Sequence, residues 1–112
     1  MVTYQFLDDL TDAYLYGSCY LRAEMHNFQV RYYVGSVLAV IESYLKTFNI
    51  TLKGTPYEVD NSPQELLTGM LNKLHQIIPA LQNNLDYFGT TTLLDHLTVY
   101  TSEIEKGVAY GQ

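Results

Sequence analysis

Cationic side chains are scarce. Only 6 Lys and Arg stand against 12 Asp and Glu, giving a net charge of −6 with the 3 His neutral. The cations are scattered and build no basic stripe, so direct nucleic-acid binding through phosphates is not expected. A single Cys19 rules out an internal disulfide. Tryptophan is absent, and proline occurs only at Pro56, Pro63 and Pro79. No apolar run approaches the ~18 residues of a membrane span, since the longest, Val34–Leu45, is broken by Gly35, Ser36, Glu42 and Ser43. The first ten residues carry Asp8 and Asp9 and no cation, so neither a signal peptide nor membrane association is expected. The expected location is the cytoplasm.

What the chain does have is apolar residues, 47% of its 112 positions, enough for one compact domain over 1–112. Their spacing is helical. Phe6, Leu7, Leu10, Tyr14, Gly17, Leu21 and Met25 recur every three or four residues and predict a helix over about 4–26, capped by Thr3. Asp8 and Asp9 suit the positive end of its dipole. Gly17 in mid-helix costs about 1 kcal/mol relative to Ala and points to a close neighbour.

A second stripe, Val30, Val34, Val37, Leu38, Ile41, Leu45 and Phe48, predicts a helix over about 28–48. The phase change at His26-Asn27 marks a break, with one long bent helix as the alternative. Residues 50–60 hold turn signals and read as either a small hairpin or an irregular loop. Ser62, Pro63 and Glu65 form a capping box with proline at the first helical position. Leu66, Leu67, Met70, Leu71, Leu74, Ile77 and Ile78 supply that helix's face. Pro79 should kink or end it. A shorter piece would then run to Phe88 and stop at Gly89. The last helix is expected from about Thr92, with Leu93, Leu97, Tyr100, Ile104 and Val108 inward. The class is all-α: an antiparallel four-helix bundle, or five segments if Pro79 divides the third helix.

Chemistry-bearing constellations are few. Cys19 and His26 stand two helical turns apart without a second ligand pair, so no metal or other cofactor is expected. Asp8 and Asp12 share a helix face, as first-turn acids do. Asp95-His96 are neighbours in sequence and diverge by about 100° on a helix. No catalytic residue is assigned. The stretch Asn27-Phe28-Gln29-Val30-Arg31-Tyr32-Tyr33 with the apolar helix after it resembles the helical core of HEPN-type domains. Many of these cleave RNA with an Arg–His motif, which this sequence does not contain, and no site is carried over.

Tyrosine is abundant, with 11 residues, and pairs a large apolar ring with a hydroxyl, as interfaces favour. Set at 100° per residue, Asp9, Asp12, Tyr16 and Tyr20 fall opposite the first helix's stripe. They are expected to form an exposed partner-binding row, two rings behind two acids. Opposite the second stripe stand Tyr32, Gly35, Ala39 and Ser43, expected as a homodimer seam or as a face covered by the first helix. The leading functional reading is a non-catalytic protein–protein interaction module, an inhibitor or modulator of a larger, basic or nucleic-acid-binding protein. Two alternatives stand beside it. One is a homo-oligomer that binds a nucleotide-like ligand with Tyr rings, Arg22, Arg31 and His26. The other is a small helical hydrolase or ribonuclease.

Overall fold

Cap chemistry sets where each helix begins. In the computed structural model, which describes residues 3–52, 61–83 and 89–110, helices span α1 Tyr4–Ala23, α2 Phe28–Lys46, α3 Pro63–Gln82 and α4 Thr90–Tyr110. Thr3 accepts the Phe6 amide at 3.2 Å and Asn27 accepts the Val30 amide at 3.2 Å. Ser62 and Glu65 form the full reciprocal box, at 3.2 and 3.3 Å. The break before α2 is therefore a true turn, and the single bent helix is excluded.

α2 closes with the paired carbonyl contacts of a Schellman-type end. Asn49 donates to the Lys46 carbonyl at 3.0 Å and Ile50 donates to Leu45 at 3.2 Å, with Asn49 left-handed at φ 60°. α3 passes through Pro79 to Gln82 without dividing, because a proline in the last turn removes only one amide donor. Gly89 stands at the start of α4. At φ 82° its carbonyl accepts the Leu93 amide at 3.1 Å, which starts α4 two residues earlier than the stripe predicts. The segment expected up to Phe88 lies, over 84–88, outside the described residues. So does most of the expected hairpin, over 53–60; Ile50, Thr51 and Leu52 form no strand.

The four helices form an all-α bundle in which α1 packs against α2 and α3, and α4 against α2 and α3. All four contacts are antiparallel. Asp9 of α1 meets Lys73 of α3 while Tyr16 meets Gly69, and Val30 of α2 meets Gly107 of α4 while Tyr33 meets Tyr100. The α1–α4 and α2–α3 pairs are diagonals. The connection from Thr47 to Ser62 consequently joins opposite ends of the bundle, since Tyr44 of α2 packs on Phe6 whereas Pro63 of α3 shares a crevice with Tyr20.

The core is the shared interior of all four helices. Leu10, Val30, Val34, Ile41, Leu45, Leu66, Met70, Leu74, Ile77, Leu81, Leu97 and Ile104 are fully buried there. Gly17 fulfils its expected role, because a Cβ there would lie 2.8 Å from Leu38 Cδ2 and 3.1 Å from Met70 Sδ. No helix among the described residues is long and apolar enough to cross a membrane.

Candidate functional site

The row Asp9, Asp12, Tyr16 and Tyr20 is not exposed. α1 contacts two helices, so its buried arc is wider than one stripe and takes in the side expected to face water. Tyr20 is only 3% exposed and Asp9 only 8%. Tyr16 lies against Gly69, where a Cβ would come within 3.0 Å of its ring. The two acids meet a cation from across the seam: Lys73 Nζ sits 3.3 Å from Asp9 Oδ1 and 3.5 Å from Asp12 Oδ2. Gln5 Nε2 donates a further bond to Asp9 at 3.0 Å. This row is the α1–α3 seam, not a free docking surface. The acids also lie beyond the first turn of α1, which contains no carboxylate.

Burial raises the pKa of the Tyr20 phenol; the charge of Glu24 adds to this and Arg31 opposes it. For Lys73, partial desolvation pulls downward, but the hydrogen bond and charge of Asp9, with Asp12 behind it, outweigh that and leave the ammonium raised.

The second expected face does look outward. Tyr32 is 69% exposed, Ala39 and Ser43 are exposed, and the position of a Gly35 Cβ is open space. α1 does not cover it; α1 meets α2 on another flank, where Leu38 packs over Gly17. Phe28, at the start of α2 and one turn before Tyr32, is 76% exposed, and Met25 in the preceding turn is 60% exposed. The sequence already shows Phe28 lying outside the α2 stripe, which is the signal for its exposure.

Within the described residues of the single chain, Arg22, Arg31 and His26 do not share a cleft. Arg31 Nη1 donates to the Leu21 carbonyl at 2.6 Å and also to the Glu24 carbonyl, so its charge closes the end of α1. Arg22 is exposed, and neither arginine lines the crevice beside His26. The Glu24 carboxylate takes the His26 amide at 2.6 Å, and backbone donation lowers its pKa. Cys19 is buried whereas His26 is exposed, so the two do not form a pair. His75 faces Glu105 at 3.1 Å on the surface. Among the described residues no three His, Cys, Asp or Glu side chains gather to hold a metal ion.

The seam between α2 and α4 carries an arrangement that one-helix periodicity cannot show. Rings run across it in contact: Tyr32 to Tyr33 at 5.1 Å, Tyr33 to Tyr100 at 6.1 Å, and Tyr100 to His96 at 5.7 Å with nearly parallel planes. These are normal separations for interacting rings. At the His96 end the band opens into a cleft of about 360 Å³ between the end of α2 and the start of α4. Val40, Tyr44 and Leu93 make it mainly apolar, and Ser43, Thr47 and Thr92 place hydroxyls around it. Its volume falls within the roughly 300–1,000 Å³ range of small ligand pockets.

The chain matches no family model, no curated protein and no solved structure.

Proposed function

We propose that this protein acts by non-catalytic contact with another protein, modulating a larger partner through the α2–α4 face. The supporting observation is the ring band from Tyr33 through Tyr100 to His96, ending in the apolar cleft beside Val40 and Leu93. Rings held against one another lose little freedom on binding, and an apolar cavity accepts a bulky anchor from the partner. The net charge of −6 speeds approach by a basic partner.

The test compares immobilised wild type with Val40→Glu, which places a carboxylate in the cleft. A protein retained by the wild type and released by the variant, with helix content unchanged, supports the reading. Identical retention by both, or none by either, overturns it.

A further inference from the structure

A different surface of α2 identifies a second partner. Phe28 and Tyr32 stand one turn apart on its outer pole, 76% and 69% exposed, followed by Gly35, Ala39, Glu42 and Lys46 at alternating spacings of three and four. We propose that this pole is the seam of a twofold dimer, with α2 packed antiparallel against α2 of a second copy.

Three observations select a second copy over an unrelated partner. The first is charge. The protein is strongly acidic, yet the pole carries one acid and one base, Glu42 and Lys46, 3.5 Å apart. It gives a basic partner nothing to recognise and spares two acidic copies most of their repulsion. The second is self-complementarity, which a twofold interface requires. An antiparallel register centred between Gly35 and Ala39 sets Gly35 against the partner's Ala39, where the axes can approach to about 8 Å. It also sets Tyr32 beside the partner's Glu42, as donor to carboxylate, and Phe28 beside the partner's Lys46, as ring to cation. The aromatic half of each pole meets the charged half of the other. The third is area. The two exposed rings offer roughly 200–350 Å² per copy, and a stable interface removes about 500 Å² or more from each partner. The close-approach stretch from Gly35 to Ala39 and the exposed side chains of Glu42 and Lys46 contribute the remainder.

This inference goes beyond the cleft reading and is tested separately from it. Sedimentation equilibrium from low micromolar to near-millimolar concentration should give twice the chain mass of 12.8 kDa. Phe28→Glu and Tyr32→Glu, each at an exposed position, should sediment as monomers with helix content unchanged, and Val40→Glu should remain dimeric. Oxidising an equimolar mixture of Tyr32→Cys and Glu42→Cys variants should yield a linked heterodimer. A wild type that stays monomeric throughout, or a Phe28→Glu variant that keeps the doubled mass, overturns the proposal. Glu42→Cys alone linking to itself overturns the antiparallel register.

Discussion

Arg31, on the first turns of α2, donates to the Leu21 carbonyl on the last turn of α1 at 2.6 Å, and so ties two consecutive helices across the tight turn between them. The same guanidinium reaches the Glu24 carbonyl. A cation at a helix C-terminus meets both unsatisfied acceptors and the negative end of the dipole.

Arg31→Ala should cost about 1.5–3 kcal/mol in urea unfolding, the value of hydrogen bonds made by a charged group. Amide exchange should speed up at residues 24–28 more than in the α3 interior. Uniform acceleration along the chain would show that the contact has no local role.

Two glycines should respond to alanine with opposite signs. A Cβ at Gly107 would sit 2.7 Å from Cγ2 of the buried, rotamer-restricted Val30, so Gly107→Ala should lose about 1–3 kcal/mol. Gly35 has nothing within 4 Å, so Gly35→Ala should gain up to about 1 kcal/mol in helix propensity when measured on the monomeric Phe28→Glu background. Thermal unfolding of both variants checks the pair.

Tyr20→Ala should cost about 3–5 kcal/mol, as for a buried ring, and Ile41→Ala about 2–5 kcal/mol. A Tyr20→Ala protein as stable as the wild type would place that ring at the surface after all.

Stability should fall at alkaline pH. Tyr20 and Lys73 both have folded pKa values above their ordinary ones, so between unfolded and folded values the native state binds more protons. Their contribution is therefore complete below pH about 10 and is lost as pH rises through the folded values. Urea midpoints across that range should decline, and the decline should shrink in a Tyr20→Phe, Lys73→Met double variant. An equal decline would exclude these two groups as its source.

The fold was legible because its signals are local. Thr3 and the Ser62–Glu65 box cap the helices whose starts they mark, the phase change at His26-Asn27 marks the break before α2, and the α2 and α3 stripes supply the core. The α1 row was misread because Asp9 and Tyr20 were assigned to water from the phase of one helix. Asp9 is met by Lys73, and Tyr20 shares its crevice with Pro63 and Leu67, all more than forty residues away in α3, and nothing near Tyr16 announces them. The Tyr33–Tyr100–His96 contact is hidden for the same reason, since its members lie on helices that meet only after the chain has doubled back. Phe28 was missed although its own position off the α2 stripe is a local signal of exposure.

The lengthwise tether from Thr47 to Ser62 makes the molecule two helical hairpins clasped together, with covalent continuity between them at a single place. Severing the tether would turn folding into a bimolecular reaction between halves, whose dissociation constant would weigh the clasp directly against the loop entropy that the tether now removes.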